Sequence, residues 1–327
     1  METSTTAGYL LILTVTPNPC LDKTWQVDKL QIDRVNRPLL THTLAGGKGI
    51  NVARVAHELG CKVVATGICG GATGRMILQG LGKEGIVHHF VRIRGETRTC
   101  AVIVDATDCT QTEINEAGPR LTRTGTSKLF TLIHRLLSEG SFRWLALCGS
   151  LPPGASEGVY ARLIEIARSY GVQVALDSSG QALLRGAEAA PFLLKPNRSE
   201  AEYLVGFSIE GRQDAIRAAQ MLQERYHIPA VVVTLGGDGA VFLWNNKLYD
   251  ALAPSIRFVS AVASGDSFLA ALLCTFATDG DEQNAVQALR MGLGAGAANA
   301  EIVGAGLCTK EDILRKAEEV RVQCSTL

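Results

Sequence analysis

A single carboxylate, Asp266, stands where a turn of small residues becomes an apolar helix, in the stretch AVASGDSFLAALL. An aspartate there can cap the helix, which stabilises it by about 1 kcal/mol. It can also be a general base, because the exposed amides of a helix start hold phosphoryl oxygens while the carboxylate accepts the proton of an attacking hydroxyl. Small residues at 261 and 263–265 keep side chains away from those amides. The pattern therefore favours phosphoryl-transfer chemistry over capping alone.

The element that precedes this turn supports the same interpretation. A strand is predicted around residues 256–259, directly before the turn. Ligands of open α/β sheets bind beyond the carboxyl ends of strands. We therefore expect Asp266 to lie at a ligand-binding edge of a sheet.

A second candidate site is the glycine-rich stretch AGGKGINVA, residues 45–53, which also precedes a predicted helix. A helix start after glycines offers backbone N–H groups to an anion or a sugar hydroxyl. Lys48 and Asn51 flank this start and could reach one small ligand. The stretch is not a P-loop, because Gly49 follows Lys48 where serine or threonine is required. A tight turn with a surface lysine is the alternative.

Two further glycine clusters are not dinucleotide sites. The stretch GLGKEG, with Gly80, Gly82 and Gly85, matches GxGxxG but follows a helical segment instead of a strand. The stretch GLGAGA, residues 292–297, has the same fault, and we expect it to let helices pack closely. A nicotinamide-dependent dehydrogenase is therefore excluded as an interpretation.

Composition limits the class of protein. The chain has 327 residues, of which 46% are hydrophobic, and its 32 basic and 32 acidic residues balance. Zero net charge gives no general attraction to nucleic acid or to anionic membranes. The apolar runs are too short to span a bilayer, and the first residues, METSTTAGY, lack the features of a signal peptide. Nine cysteines without a CxxC pair indicate reduced thiols, so we expect a cytoplasmic protein with neither nucleic acid nor membrane as a partner.

Strand-like and helix-like segments alternate over most of the chain, which predicts an α/β fold with a mostly parallel sheet covered by helices on both faces. Residues 22–43 and 88–116 instead show short strand patterns without helices between them. We expect these two stretches to form a small antiparallel lid over the site, with an edge extension of the main sheet as the alternative. From Gly265 onward the pattern is almost wholly helical. No repeat or linker divides the chain, so residues 1–327 are expected to form a single domain.

Nine short motifs lie between Ile12 and Leu314. In chain order they read TPNPCLD, AGGKGINVARV, GETRTC, TEINEAGP, CGSLPPG, LDSSGQAL, KPNRSE, VTLGGDGA and AVASGDSF. In this order they resemble the ribokinase-like sugar kinases of the phosphofructokinase-B family, and most of all its 1-phosphofructokinase and tagatose-6-phosphate kinase branch. The resemblance implies a ribokinase-like three-layer sandwich with a central, mostly parallel sheet and a small β-lid.

The resemblance also implies roles for single residues. Asp266 matches the catalytic base, and the amides of Ala263, Ser264 and Gly265 match the anion hole beside it. Sugar-binding positions are matched by Asp22, Gly46, Gly47, Lys48 and Asn51. Arg98 matches an arginine that grips the phosphate already on the substrate, with Arg34 or Arg37 helping from the lid.

The nucleotide side of the site is implied in the same way. Asn197 and Glu200 match positions that organise magnesium and the ATP phosphates, and so indirectly hold the metal. Lys195 is expected near the phosphates, and Thr234, Gly236 and Gly239 are expected to line the nucleotide. The family also implies Mg²⁺ with ATP as cofactor, leaves a monovalent cation requirement open, and suggests a homodimer through the lid strands.

The chain departs from the family pattern at one site position. Ala263 stands where the family has glycine, and a methyl group there has a cost if the backbone needs a positive φ. We expect reduced activity, not lost activity. Thr234 in place of serine keeps the hydroxyl. The expected reaction is the conversion of fructose 1-phosphate to fructose 1,6-bisphosphate, with tagatose 6-phosphate or fructose 6-phosphate as alternative substrates. A catalytically silent sugar-phosphate binding protein is the alternative from another class.

Overall fold

The computed structural model describes residues 11–277 and 280–326. Its strands are β1 (Leu11–Thr16), β2 (Cys20–Val27), β3 (Leu40–Gly46), β4 (Lys62–Cys69), β5 (Val87–Arg92), β6 (Arg98–Asp105), β7 (Thr110–Asn115), β8 (Trp144–Cys148), β9 (Gln173–Asp177), β10 (Leu193–Leu194), β11 (Ala230–Thr234), β12 (Ala240–Trp244), β13 (Lys247–Leu252) and β14 (Arg321–Thr326). Its helices are α1 (Lys48–Glu58), α2 (Gly71–Lys83), α3 (Arg123–Glu139), α4 (Val159–Ser169), α5 (Gly180–Glu188), α6 (Arg198–Val205), α7 (Arg212–Tyr226), α8 (Ser264–Thr275), α9 (Glu282–Ala300) and α10 (Lys310–Glu319), with a 3₁₀ turn at Gly236–Asp238.

Ten strands form one sheet in the order β14-β13-β12-β11-β10-β9-β8-β1-β4-β5. The strands from β11 to β5 run parallel, and β12 to β14 are added as antiparallel neighbours. Side chains alternate between the two faces, as the period of a strand requires. In β8, for example, Trp144 and Ala146 belong to one hydrophobic core, and Leu145 and Leu147 belong to the other.

Helices cover both faces of this sheet. α1, α2, α8, α9 and α10 contribute to the core on one side, and α3 to α7 contribute to the core on the other. The predicted three-layer α/β arrangement is therefore confirmed. The stretch GLGAGA lies inside α9, where a Cβ on Gly292 would come within 3.0 Å of Phe268 in α8. Close packing of helices, as expected, explains these glycines.

A second, four-stranded sheet has the order β3-β2-β6-β7. It differs from the predicted antiparallel lid in two respects. β2 and β6 run parallel, so the sheet is mixed. Residues 87–92 form β5, which pairs with β4 at the edge of the large sheet, so only the later part of the predicted 88–116 stretch joins the small sheet. Short strand patterns do not reveal which sheet a strand joins, because pairing is decided by long-range packing.

One other expectation was wrong. No strand forms around residues 256–259; instead the amides of Val259 and Ser260 both donate to the carbonyl of Ala300, so the segment lies against the end of α9. The C-terminal third is mostly helical in α8, α9 and α10, and the one strand among its described residues, β14, pairs antiparallel with β13. In the part of the chain that the structure describes, no helix combines the length and the apolar character that crossing a membrane requires.

Candidate active site

A cavity of about 790 Å³ lies where the carboxyl ends of the central strands face the four-stranded sheet. It brings together most of the residues singled out from the sequence. They are Asp22, Gly47, Lys48, Asn51, Arg98, Lys195, Asn197, Glu200, Thr234, Gly236, Gly239, Ala263, Ser264, Gly265 and Asp266. Residues from distant parts of the sequence therefore share one cavity.

Three of the predicted substrate residues lie elsewhere. Arg34 and Arg37 are exposed on the loop between β2 and β3, and neither lines the cavity. Gly46 lies beside Asp22, and a Cβ on it would stand 2.0 Å from Asp22 Oδ2. The glycine at this position therefore makes room for the aspartate and does not itself face the ligand space.

Asp266 is the third residue of α8 and is 5% exposed. Its Oδ2 accepts a hydrogen bond of 2.9 Å from Asn51 Nδ2, across 215 residues of sequence. Among the described contacts, the start of α8 has no side-chain cap. The capping alternative therefore finds no support, and the carboxylate is held toward α1 instead.

Arg54 fixes the orientation of the Asn51 amide. Arg54 Nη1 donates to Asn51 Oδ1 at 3.1 Å and to the carbonyl of Ala305 at 3.0 Å, and its Nε donates to Glu84 at 2.7 Å. Since Oδ1 of Asn51 accepts from a guanidinium, its Nδ2 must be the group that faces Asp266. Arg54 thus keeps the Nδ2 donor of Asn51 directed at Asp266, the candidate base.

Two lysines share one buried carboxylate near Asp266. Lys48 Nζ lies 2.7 Å from Asp177 Oδ1, and Lys195 Nζ lies 2.9 Å from Asp177 Oδ2. Lys48 Nζ also lies 3.6 Å from Glu200 Oε1. Two positive charges are therefore fixed at the cavity wall, where phosphate oxygens could be bound.

Burial governs the ionisation of Asp266. It raises the pKa of Asp266 to about 6; Lys48 opposes the rise, whereas the charge of Asp177 adds to it. Burial acts to lower the pKa of Lys48, but Asp177, Glu200 and Asp266 outweigh it, so this pKa is raised. Burial acts to raise the pKa of Asp177, but Lys195 and Lys48 bring it below its ordinary value. At neutral pH the site thus holds an ionised carboxylate whose pKa is close to the ambient pH, as a general base requires.

The turn before α8 needs an unusual backbone conformation. Ala263 has φ 61° and ψ 8°, in the left-handed region that costs roughly 1–2 kcal/mol for a residue with a Cβ. Asn299 of α9 supports this turn, since its Nδ2 donates to the Val262 carbonyl at 2.6 Å and its Oδ1 accepts from the Gly306 amide at 2.8 Å. The suspected strain at Ala263 is therefore present.

One of the three amides of the predicted anion hole already has a hydrogen-bond partner. The amide of Ser264 donates to the Ala261 carbonyl at 3.2 Å, which closes the turn. The first amides of a helix lack partners within the helix. Of the three predicted amides, those of Ala263 and Gly265 thus remain candidates for binding an anion.

The NxxE pair begins α6 and forms a capping box. Asn197 Oδ1 accepts from the Glu200 amide, and Glu200 Oε2 accepts from the Asn197 amide, each at 2.9 Å. The other carboxylate oxygen, Oε1, is the one near Lys48. The residues expected to organise magnesium and ATP phosphates therefore first serve their own helix.

The wall opposite these lysines belongs to the four-stranded sheet. Asp22 and Arg98 face the cavity there, and burial raises the pKa of Asp22 although the Cys20 thiol, a hydrogen-bond donor at 2.9 Å, opposes this. Arg98 donates through Nε and Nη2 to the carbonyl of Asn18, at 3.2 and 3.0 Å. These bonds hold the guanidinium at the cavity.

The model of the pfkB family of carbohydrate kinases matches residues 18–312. The chain belongs to this family. It is therefore a sugar-phosphate kinase, a phosphotransferase with an alcohol acceptor, and kinases of this family use ATP with Mg²⁺.

Several known proteins are similar to this chain over most of its length. Tagatose-6-phosphate kinase of Staphylococcus epidermidis is 35% identical over 80% of this chain and 84% of its own length. Phosphofructokinase-2 of Escherichia coli, solved with substrates and products, is 28% identical with a TM-score of 0.86, over 94% of this chain and 99% of that one. A candidate 1-phosphofructokinase of Thermotoga maritima is 26% identical with a TM-score of 0.85, over 97% and 100% of the two chains. The E. coli enzyme has also been solved with potassium and as a tetrameric inhibited form.

Three residues of the site were not predicted from the sequence. Asp177 ends a buried strand, β9, and its position at a strand's carboxyl end is a signal that could have found it. Arg54 lies in a quoted motif, yet no pattern shows that it contacts Asn51. Asn299 sits in an apolar, glycine-rich helix, where only the packing of α9 on the α8 turn reveals its role.

Proposed function

We propose that this pfkB kinase transfers the γ-phosphoryl group of ATP to the 6-hydroxyl of fructose 1-phosphate, with Asp266 as the general base. One observation carries the proposal: a buried carboxylate, with a pKa raised to about 6, lies beside the start of α8. It can accept the hydroxyl proton as the oxygen attacks phosphorus in line, while helix amides receive the negative charge.

The charges of the cavity suggest where the two phosphates bind. Lys48, Lys195 and Arg98 are the basic side chains among its described lining residues. The lysines share Asp177 on the α8 side, which suits the transferring phosphoryl group. Arg98 lies on the four-stranded sheet, which suits the phosphate already on the sugar. Asp22 and Asn51 would then bind sugar hydroxyls between them.

The nucleotide and its metal fit the remaining wall. Thr234, Gly236 and Gly239 would line ATP, since they lie at the end of β11 and around the 3₁₀ turn. Mg²⁺ prefers oxygen ligands and retains water. Glu200 Oε1 is a donor of that kind, whereas Asn197 Oδ1 already accepts two hydrogen bonds, so Glu200 would hold the ion through water. When bound, Mg²⁺ offsets charge on the ATP phosphates. Because the E. coli enzyme has been solved in complex with potassium, the assay described below also tests whether K⁺ raises the rate.

The four-stranded sheet would act as the lid. Its residues Asp22 and Arg98 reach the substrate side, so its closure would exclude water and protect ATP from hydrolysis. Its strands expose Leu40 and Ile114, at 40% and 61%. Pairing of two copies through this sheet would cover these side chains.

Tagatose 6-phosphate and fructose 6-phosphate are the second candidates. The 35% identity to the S. epidermidis tagatose-6-phosphate kinase favours the former, and the fold of E. coli phosphofructokinase-2 favours the latter. These sugars differ from fructose 1-phosphate chiefly in where the existing phosphate lies relative to the acceptor hydroxyl.

The test is ADP release from MgATP with fructose 1-phosphate, tagatose 6-phosphate, fructose 6-phosphate, fructose and ribose, with and without added K⁺. Asp266→Asn is assayed beside Asp281→Asn, whose aspartate caps α9 through the Asn284 amide. Turnover of fructose 1-phosphate, lost only in Asp266→Asn, supports the proposal. Preference for another sugar phosphate replaces the substrate but keeps the mechanism. Equal loss in both variants would reduce Asp266 to a structural residue.

A further inference from the structure

Two thiols and a carboxylate converge on the sugar side of the cavity. Cys20 and Asp22 lie two residues apart on β2, and Cys100 lies opposite Asp22 on the parallel neighbour β6. All three point to the same face of the sheet, because side chains two residues apart share a face. Their ligand atoms all lie within 4.8 Å of one another.

These side chains are buried yet border the cavity. Cys20 is 3% exposed, Asp22 8% and Cys100 6%, and each lines the space in which the sugar is proposed to bind. The phosphoryl transfer described above gives neither thiol a role. Two sulfur atoms beside a polar cavity therefore call for a separate chemical explanation.

The ligand types and their spacing suit one class of cation. Zinc bonds to thiolate at about 2.3 Å and to carboxylate at about 2.0–2.2 Å, so neighbouring ligands of a tetrahedral site lie roughly 3.6–3.8 Å apart. The observed spacing needs shifts of about 1 Å or less to reach that geometry. Three protein ligands also leave a fourth position open, as in zinc sites that exchange a ligand. Soft sulfur ligands select against Mg²⁺ and Ca²⁺.

The surroundings can balance the charge of such a site. Two thiolates and one carboxylate bring three negative charges, and a divalent cation leaves one of them uncompensated. Arg98 lies opposite Cys20 in the strand register and supplies one positive charge on the same face, while the charges of Arg54 and Glu113 act on Asp22 in opposite directions. The bound state would thus be close to neutral, which limits the cost of burying it.

We propose that Cys20, Asp22 and Cys100 form a binding site for a thiophilic divalent cation such as Zn²⁺, and that the cation excludes the sugar phosphate from the cavity. The second half rests on the proposed function, because a cation bound to these three side chains would occupy the space in which the sugar is proposed to bind. The kinase would then be inhibited by zinc in competition with the sugar phosphate and not with MgATP.

The first test measures binding without turnover. Cd²⁺ is titrated into reduced, metal-free protein, and the sulfur-to-cadmium charge-transfer absorption is followed; Zn²⁺ then displaces it. We expect one equivalent to bind, and each of Cys20→Ser and Cys100→Ser to weaken binding at least about ten-fold, since each removes one of three ligands. Cys274→Ser is the matched control, because Cys274 hydrogen-bonds to the thiol of Cys61 in the other close thiol pair. Loss in Cys274→Ser alone, or equal binding by all variants, overturns the proposal.

The second test measures turnover at saturating MgATP. Zinc at ten times its dissociation constant should raise the KM for the sugar phosphate about eleven-fold and leave kcat unchanged, as competition requires. Cys109→Ser, which changes an exposed thiol, should be inhibited like the wild type. Inhibition that follows the ATP concentration instead contradicts the proposed exclusion. If zinc-free protein turns over none of the sugars, the proposed function fails while the cadmium titration still decides the metal site.

Discussion

Two helix starts that face the same cavity are built in opposite ways. α6 begins with a closed capping box, in which Asn197 and Glu200 satisfy each other's amides. α8 begins at Ala263 in a left-handed conformation without a side-chain cap among the described contacts. A capped start stabilises its own helix, whereas an uncapped start leaves amides for a ligand. The difference agrees with the proposal that α8 carries the chemistry and that α6 chiefly holds its place.

Asp266→Asn should have the largest effect. We expect kcat to fall by about 10²–10⁴, since the general base is lost. Stability should change in the opposite direction. The folded pKa of about 6 exceeds the ordinary 3.8, so the stability that Asp266 contributes is present at low pH and lost as the pH rises through about 6. At pH 7 the variant should be more stable by on the order of 3 kcal/mol in urea unfolding. A destabilised variant would contradict this account of α8.

The same pKa predicts an acid limb in the rate. Below about pH 6, kcat should fall about ten-fold per pH unit, because Asp266 becomes protonated. Lys48→Gln removes a charge that lowers this pKa, so in the variant the limb should move to higher pH. A limb that stays in place would belong to the substrate's phosphate and not to α8.

Asn299→Ala tests whether the turn before α8 must be supported. The change leaves the partly buried Val262 carbonyl and the buried Gly306 amide without this partner, which should cost about 2–3 kcal/mol and lower kcat about ten-fold. Asn284→Ala is the matched control, since Asn284 makes the same kind of bonds, to the Ala277 amide and the Thr275 carbonyl, at the far end of α8. The control should lose stability but keep its kcat.

Asn197→Ala tests the start of α6. Loss of the cap should lower the free energy of unfolding by about 1 kcal/mol and reduce kcat far less than Asp266→Asn does. Thr309→Ala, which removes the cap of α10, should cost a similar amount in the same unfolding experiment. If Asn197→Ala instead abolishes turnover with stability intact, α6 takes part in the chemistry and the contrast fails.

Ala263→Gly should give the smallest change. Glycine relieves the left-handed strain but adds freedom to the unfolded chain, so the gain should stay within about 1 kcal/mol, with kcat equal or higher. Ala190, with φ 51°, also has a positive φ and lies outside the cavity lining. Ala190→Gly should therefore show a similar thermal shift without any change in kcat.

The sequence predicted what is local and missed what is long-range. Buried strands such as β1 and β8, and glycine-led helix starts such as α1, follow from periodicity and backbone preference. The pairing of β2 with β6 was not foreseen, because one residue pattern fits either sheet. Asp177, Arg54 and Asn299 act through contacts with residues far along the chain, which composition and spacing do not encode. The irregular segment before Ala263 was mistaken for a strand because its apolar residues suit both.

The hydrogen bond between Asn51 and Asp266 also bears on the order of events during synthesis. Its partners are 215 residues apart, so at about 5–20 residues per second the second one is made roughly 10–40 s after the first. β1, meanwhile, must wait for β8 before its place between β4 and β8 is filled. A growing chain therefore contains the proposed sugar-binding residues long before the proposed base, and on this proposal it cannot transfer phosphate until Asp266 has been translated.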